Sequence, residues 1–129
     1  MGRRSLLVLA AVGVLAVNAI VVVAFLPEPA PPPSASPTER LYFLRCVSCH
    51  GTGGTGSWRA TFFLIRPGNL ADSRRMAALP DQYLFDIIKH GGATIGKPGM
   101  PGFGFHLSDA EISELVSYVR SLSAPGSPR

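Results

Sequence analysis

The chain of 129 residues has two cysteines, one tryptophan and a low content of charged side chains, since Asp, Glu, Lys and Arg make up 16% of it. Because both cysteines fall within residues 46–49, the sequence lacks the second thiol pair that structural zinc sites usually need. No cysteine lies near the apolar amino-terminal segment, which excludes a lipid anchor there. No basic stripe indicates nucleic-acid binding, and no segment alternates apolar and polar residues as a half-buried strand does. What remains is a chain with helical patterns and one close pair of thiols.

The two cysteines belong to the string CVSCHG, which begins at Cys46 and in which His50 directly follows Cys49. Three chemistries use such a cluster. A redox-active disulfide needs C-x-x-C at a strand-to-helix turn, and a structural zinc site needs four ligands. Haem c uses both thiols as thioethers and the next imidazole as an iron ligand. His90 and His106 are not at zinc-knuckle spacing, and the chain before the motif has a helical pattern, so the sequence predicts haem c bound through Cys46, Cys49 and His50.

The amino-terminal segment is apolar from residue 6 to residue 26, with Asn18 as its only polar side chain. As a helix it would be roughly 30 Å long, which is the thickness of a bilayer's hydrocarbon core. A signal peptide cleaved after Ala19 is the alternative, but the apolar residues that would then begin the mature protein favour an uncleaved anchor. Arg3 and Arg4 predict a cytoplasmic amino terminus, with the rest of the chain on the outer, periplasmic side of a bacterial inner membrane.

The next segment, residues 27–37, has six prolines in eleven residues. Such a stretch favours extended polyproline II, so we expect a semi-rigid spacer of roughly 34 Å. The sequence thus divides into an anchor (1–26), a Pro-rich linker (27–37), a domain (38–124) and a flexible tail (125–129).

Helical periodicity recurs three times in the domain, and the predicted helices cover residues 38–49, 80–90 and 108–123. Thr38 is the expected N-cap of the first, Pro80 suits the first turn of the second, and Ser108 with Glu111 forms a capping box for the third. The predicted class is all-α. Three short helices bury too little apolar surface to stabilise a domain under 100 residues, which usually needs an additional stabilising element. A haem ring around which the helices pack would be that element.

Residues 39–122 resemble the small class I-like c-type cytochromes. The resemblance rests on three strings, LYFLRCVSCHG, RPGNLADSRRMAALPDQYLFDIIKHGG and KPGMPGFGFHLSDAEISELVSYVRSL. It implies a small cytochrome c fold, with three main helices and long loops wrapped around one covalent haem. In that family a methionine followed by proline, shortly before an LSDAEI-type helix start, is the sixth iron ligand. Here that residue is Met100, so the metal ligands would be His50 and Met100, with Met76, His90 and His106 as the rival residues.

The resemblance also implies that the carbonyl of Pro67 accepts the proton on the second nitrogen of His50, with Asn69 as the rival acceptor. Trp58, Arg59 and Arg66 are candidate partners of the haem propionates, since guanidinium pairs well with carboxylates. The expected cofactor-binding residues are therefore Cys46, Cys49, His50, Met100, Pro67, Trp58, Arg59 and Arg66.

Two features depart from the family pattern. Thr38 stands where family members often have glycine at the crossing of the first and last helices, and Tyr42 and Tyr118 are the expected contacts there. The apolar stretch at residues 57–65 is expected to pack on the core, with coverage of a haem edge or contact with a partner as the alternatives.

These observations predict an electron carrier rather than an enzyme: a membrane-tethered monohaem cytochrome c that transfers one electron at a time between a membrane donor and an acceptor. The domain and tail carry ten basic and seven acidic side chains, a mild bias toward acidic docking partners. A fixed subunit of a respiratory or photosynthetic oxidoreductase is the alternative within the same chemistry. A haem sensor or enzyme with an open sixth position is the alternative from another class, and Met100 disfavours it.

Overall fold

The computed structural model describes residues 2–126, and within that range every regular element is helical. This confirms the predicted all-α class. Part of the predicted tail, residues 127–129, lies outside the described residues. Seven α-helices and one 3-10 helix follow one another in that range: α1 (Arg3–Phe25), α2 (Pro37–Arg45), α3 (Val47–His50), α4 (Trp58–Phe62), α5 (Ser73–Ala77), α6 (Asp81–His90), the 3-10 turn (Ala93–Ile95) and α7 (Asp109–Leu122).

The amino-terminal helix α1 has 23 residues and little contact with the rest of the protein. Among residues 2–126 it alone is long and apolar enough to cross a membrane. Length and composition do not separate an anchor from a signal sequence, since both satisfy this criterion at an amino terminus.

The first predicted domain helix, residues 38–49, is in fact two helices separated at Cys46. The backbone of Cys46 departs from helical geometry, with φ −119° and ψ −31°, so α2 ends and α3 begins there. The expected N-cap was also wrong: the Ser36 side chain accepts a hydrogen bond from the Glu39 N–H at 3.1 Å, and Pro37 fills the first turn. The helix therefore starts one residue earlier than Thr38.

The second and third predicted helices are confirmed as α6 and α7. Helix α6 ends at Gly91, which has φ +85° and so adopts a conformation that favours glycine. At the start of α7, Ser108 and Glu111 form both hydrogen bonds of the predicted capping box. The sequence did not predict the short helices α4 and α5, whose starts are capped by Ser57 and Asp72.

Helix α7 is the centre of the core and packs against both α2 and α6. Its apolar face supplies half of the buried core cluster, namely Ile112, Leu115, Val116, Val119 and Leu122. At the crossing with α2, the rings of Tyr42 and Tyr118 lie 5.0 Å apart, as predicted. Thr38 contributes there as well, since its hydroxyl donates a hydrogen bond to the carboxylate of Glu114 at 2.8 Å.

Arg120 fastens the segment between α5 and α6 to helix α7. Its guanidinium pairs with the Asp81 carboxylate at 2.6 Å and donates hydrogen bonds to the backbone carbonyls of Met76 and Leu79. These carbonyls lie at or beyond the last turn of α5, where intrahelical donors are lacking. One side chain thus fixes the position of the end of α5, which contains Met76.

The prediction for residues 57–65 was wrong for most of the segment. Only Ala60 is buried, whereas Trp58, Phe62, Phe63 and Leu64 are exposed. Burial follows the turns of α4, which place Ala60 inward and the larger side chains outward.

The Pro-rich linker is not extended throughout and contacts the domain at two points. The Ala35 N–H donates to the Pro32 carbonyl at 3.0 Å and closes a turn. Arg40 donates to the Ala35 and Pro33 carbonyls at 3.1 and 2.9 Å. Near the other end of the linker, Arg59 pairs with Glu28. Two arginines of the domain therefore hold the linker along its surface.

Candidate haem site

One cavity of about 470 Å³ brings the four predicted ligand and attachment residues together. Cys46, Cys49 and His50 line it from α2 and α3, and Met100 lines it from the loop after α6. This volume is within the range of about 300–1,000 Å³ that is usual for ligand sites. The rest of the lining is mostly apolar, and it includes Leu84, Ile87, Ile88, Phe103 and Val119.

The cysteine–histidine side of the cavity is a single helical turn that packs directly on the core. The N–H groups of Cys49 and His50 both bond to the Cys46 carbonyl, at 3.2 and 2.8 Å, so the three residues share one turn. The Tyr42 hydroxyl donates to the Gly51 carbonyl at 2.8 Å and secures the end of that turn. Because Tyr42 is fully buried against α7, the position of this turn depends on the helix crossing.

The imidazole of His50 is oriented by a backbone carbonyl. Its Nδ1 lies 3.2 Å from the carbonyl oxygen of Gly68, rather than from that of Pro67, which was the predicted acceptor. The rival Asn69 is engaged locally, because its Oδ1 accepts a hydrogen bond from the Ala71 N–H at 2.9 Å. With Nδ1 as the donor to Gly68, Nε2 is the nitrogen left with a free lone pair for a metal.

Burial lowers the pKa of His50, an effect that the bond to the Gly68 carbonyl partly opposes. The neutral imidazole is the form that ligates metals, so this environment suits a ligand at neutral pH. Burial, reinforced by the proximity of Cys49, raises the pKa of Cys46 to about 12. Redox-active C-x-x-C sites have the opposite feature, a lowered thiol pKa. The site thus disfavours a thiol–disulfide function.

Met100 is positioned by close contact between its loop and the end of α6. The Gly92 N–H donates to the Met100 carbonyl at 3.0 Å, and the Phe103 N–H donates to the Ile88 carbonyl at 2.9 Å. A Cβ on Gly102 would lie 2.7 Å from the carbonyl carbon of His90, which is closer than real contacts allow. Sequence reasoning did not identify this close approach of Gly102 to the end of α6. The Gly/Pro content of KPGMPGFG was the available signal.

The rival ligands differ in position. Met76 also lines the cavity and is almost fully buried in the core cluster. His90 and His106 are exposed and do not line it. The structure thus brings two methionines, and neither rival histidine, to the cavity that holds His50.

The cavity wall is basic and has no acidic residue. Arg45, Arg66, Arg75 and Lys97 line it, and the side chains of these four residues make no ion pair with any described residue in 2–126. Three of them, Arg45, Arg75 and Lys97, were not predicted from the sequence, because they come from separate segments that meet only in the fold.

The other two predicted propionate partners lie elsewhere. Trp58 and Arg59 line a separate cavity of about 310 Å³, together with linker residues 27–29. Arg59 is engaged there by the Glu28 carboxylate at 3.0 Å and by the Leu26 carbonyl. Of the three candidates only Arg66 is at the main cavity.

The donor set fits a haem. Two thiols and an imidazole on one turn match two thioethers and one axial ligand, and the thioether of Met100 offers a second axial ligand. Apolar walls suit the ring, and four unpaired cations suit two carboxylate side chains.

Comparison with known proteins decides the family. A family model described as cytochrome C oxidase, cbb3-type, subunit III, matches residues 33–119. The chain belongs to the c-type cytochrome family. The solved structure of the KustC0563 c-type cytochrome has a similar fold, with a TM-score of 0.58 and 24% sequence identity, and the match covers 67% of this chain and 98% of that one. The predicted small cytochrome c fold is thereby confirmed.

Three curated relatives agree with this family. Cytochrome c6 of Bumilleriopsis filiformis is 30% identical over 68% of this chain and 91% of its own length. The thiosulfate dehydrogenase electron acceptor of Thiomonas intermedia (strain K12) is 31% identical over 77% of this cytochrome and 37% of the relative. A nicotinate dehydrogenase subunit of Pseudomonas putida is 32% identical over 74% of this cytochrome and 8% of the relative. This cytochrome thus spans about a third of one relative and less than a tenth of another.

Membership in this family implies covalently bound haem c with iron, and it supports electron transfer as the activity. Both agree with the motif-based prediction of the cofactor.

Proposed function

We propose that this cytochrome binds one haem c in the cavity and transfers single electrons on the outer side of a bacterial inner membrane, to which α1 anchors it. Cys46 and Cys49 would hold the haem through two thioethers, and His50 and Met100 would bind its iron. The observation that supports this proposal best is that one apolar cavity is lined by all four of these side chains, although Met100 lies 50 residues beyond His50 in the chain.

The haem supplies an iron that changes between the ferric and ferrous states. The protein's own residues position and tune it. The Gly68 carbonyl holds the His50 ring in one orientation, and the neutral, polarizable Met100 thioether favours the ferrous state. With both axial positions filled by side chains, no substrate binds the iron, so the protein acts as a carrier rather than as an enzyme.

The four cations at the cavity support both cofactor and partner binding. Arg66, Arg75, Arg45 and Lys97 are candidates to pair with the haem propionates. Those that remain exposed favour redox partners with acidic surfaces. Partners of this kind usually form small, short-lived interfaces.

A fixed subunit of an oxidoreductase complex is the second candidate. The observation that favours it is the bound linker. Arg40 and Arg59 hold residues 28–35 against the domain, and this limits movement of the domain relative to α1. The printed names of two relatives, an electron acceptor of thiosulfate dehydrogenase and a subunit of nicotinate dehydrogenase, are consistent with either role.

Carbon monoxide separates the carrier from a sensor or enzyme. If His50 and Met100 both ligate the iron, the ferrous full-length protein has no vacant site, and its spectrum stays unchanged under carbon monoxide at neutral pH. It should still exchange electrons rapidly with small redox mediators, because outer-sphere transfer needs no ligand change. Ready carbon monoxide binding by the wild type would contradict the carrier proposal.

A double substitution, Arg40→Ala with Arg59→Ala, separates the mobile carrier from the fixed subunit. If the protein is a mobile carrier, releasing its linker should leave electron transfer between its native membrane partners at an equal or higher rate. A fixed subunit should lose turnover, because its haem is no longer held in place. The absorption spectrum of the variant serves as the control that the haem site itself is intact.

A further inference from the structure

An exposed apolar patch projects from the domain on helix α4 and the turn that follows it. It consists of Trp58, Phe62, Phe63 and Leu64, which are 61%, 44%, 42% and 86% exposed. Four large apolar side chains are thus exposed within seven residues, which on a soluble surface indicates a contact site. Three of its residues, Trp58, Phe62 and Phe63, do not line the main cavity, so haem binding does not account for their exposure.

The backbone presents these side chains outward in a defined geometry. Leu64 has φ +58°, which is uncommon for a bulky residue. Two hydrogen bonds hold this turn, from the Leu64 N–H to the Thr61 carbonyl at 3.0 Å and from the Ile65 N–H to the Ala60 carbonyl at 2.8 Å. The patch is therefore part of a hydrogen-bonded turn.

The patch lies beside the point where α1 ends. Helix α1 ends at Phe25, and Arg59 of α4 donates a hydrogen bond to the carbonyl of Leu26, the next residue. Arg59 also pairs with Glu28 at 3.0 Å. If α1 crosses a bilayer, the end of its apolar run lies at the membrane surface, and these contacts place α4 at the same level.

The charge around the patch suits an anionic lipid surface. Residues 40–71 contain no Asp or Glu and include four arginines, Arg40, Arg45, Arg59 and Arg66. In the string WRATFFLIR, Arg59 lies within the patch, where it pairs with Glu28, and Arg66 follows two residues after Leu64. Aromatic side chains next to arginines are typical of segments at the membrane–water interface, and basic residues near the surface are attracted by anionic lipids.

We infer that Trp58, Phe62, Phe63 and Leu64 insert at the boundary between the lipid headgroups and the acyl chains, so that the haem domain lies on the bilayer instead of extending away from it. This inference rests on the proposed uncleaved anchor. Leu64 and Ile65 also line the haem cavity, so insertion holds that side of the cavity close to the membrane surface. Redox partners embedded in the same membrane then meet the haem without a long excursion of the domain. A protein partner on the patch is the competing occupant.

The test uses the full-length holoprotein in phosphatidylcholine–phosphatidylglycerol vesicles that contain a phospholipid with a photoactivated diazirine on its acyl chain. After illumination, mass spectrometry measures the label on each peptide. The peptide with residues 58–64 should be labelled several-fold more than the peptide with Phe105. Phe105 is 99% exposed and lies outside the patch, in the loop before α7, so it is the internal control for exposure alone.

Two variants sharpen the measurement. Phe62→Ser with Phe63→Ser, neither of which lines the haem cavity, should lower labelling at Trp58 several-fold and leave the haem spectrum unchanged. Phe105→Ser is the matched control and should change neither. Unaltered labelling at Trp58 in the double variant would overturn the inference.

The remaining outcomes separate the patch from the anchor. An intact chain whose 58–64 peptide is labelled no more than the Phe105 peptide would overturn the patch alone and leave a protein as its occupant. An intact mass that lacks residues 1–19 would overturn both the anchor and the patch. Lipid contact is therefore distinguished from failure of the proposed function.

Discussion

The two sides of the haem cavity are built in different ways. On one side, Cys46, Cys49 and His50 share a single helical turn whose bonds all lie within five residues. On the other, Met100 belongs to a loop that has no α-helix of its own and takes its position from backbone contacts with α6. Local spacing defines the first side, and tertiary contact defines the second. The first side is therefore readable as a motif, and the second depends on neighbours that the motif does not contain.

The two sides also differ in what fixes them to the core. The turn with His50 is joined to the core by Tyr42, which is fully buried under α7. The Met100 loop is joined to the end of α6, through close backbone contacts at Gly91, Gly92 and Gly102 and the hydrogen bond from Phe103 to Ile88. We therefore expect the Met100 side to be the more easily displaced, and the following predictions test this difference.

The largest effect is expected from removing both thiols. The Cys46→Ala/Cys49→Ala variant should retain no haem on the polypeptide after acid–organic extraction, because no other residue forms a thioether to the ring. Met100→Ala should retain all of it under the same treatment. Haem lost from both variants alike would mean that the two sides do not differ in attachment.

The two methionines at the cavity should separate ligation from stability. Met76→Ala should lower the free energy of unfolding by about 2–5 kcal/mol, since Met76 is 2% exposed in the core. It should keep the weak far-red band that a sulfur–iron bond produces in the ferric protein. Met100→Ala should lose that band. Denaturant titration and absorption spectra measure both quantities, and loss of the band in Met76→Ala alone would reverse the ligand assignment.

Two glycines on either side of Met100 should behave differently. A Cβ at Gly102 would lie 2.7 Å from the His90 carbonyl carbon, whereas one at Gly99 would lie 3.7 Å from a methyl group of Ile65, an ordinary contact. Gly102→Ala should therefore push the loop off α6, at a cost of about 1–3 kcal/mol, and weaken the far-red band. It should also admit carbon monoxide. Gly99→Ala is the matched control, and equal spectra for the two variants would show that close packing does not position Met100.

The smallest effect is expected on the histidine side. Tyr42→Phe removes the hydrogen bond to the Gly51 carbonyl and should lower the free energy of unfolding by about 1 kcal/mol while leaving the far-red band in place. Tyr118→Phe is the control, because its hydroxyl bonds to none of residues 2–126. Urea titrations of the three proteins make the comparison. A loss in Tyr118→Phe as large as in Tyr42→Phe would mean that ring packing, and not the bond to Gly51, fixes the turn.

Sequence patterns predicted α6 and α7 well because their signals are local. A capping box, an apolar stripe and a terminating Gly-Gly lie within a few residues of the helix they define. Sequence patterns failed at α2, because the predicted helix runs through Cys46 whereas the observed helix ends there. The break there follows from the turn that presents two thiols and an imidazole to one cavity. The short helices α4 and α5 have too few residues to show periodicity.

The candidate residues divide in the same way. Cys46, Cys49 and His50 were identified from a short sequence motif, and Met100 was identified from its position before an LSDAEI-type helix start. Whether they bind haem as predicted stays a prediction. The partners of the propionates could not be read from spacing. Arg59 was expected at the haem and instead lies on the linker, because the chain folds back at residues 26–28 and places Glu28 beside it.

By itself the sequence determined the cofactor chemistry, the helical class, the two long helices of the domain and the apolar amino-terminal segment. Each depends on residues close together in the chain, where spacing and side-chain type decide the geometry. Only the tertiary structure decided that Gly68 supplies the carbonyl to His50, that three unforeseen cations face the cavity, that glycines bring Met100 onto α6 and that the aromatic stretch points outward. Each of these depends on which distant segments meet, and the close packing of the folded chain, rather than local propensity, selects those contacts.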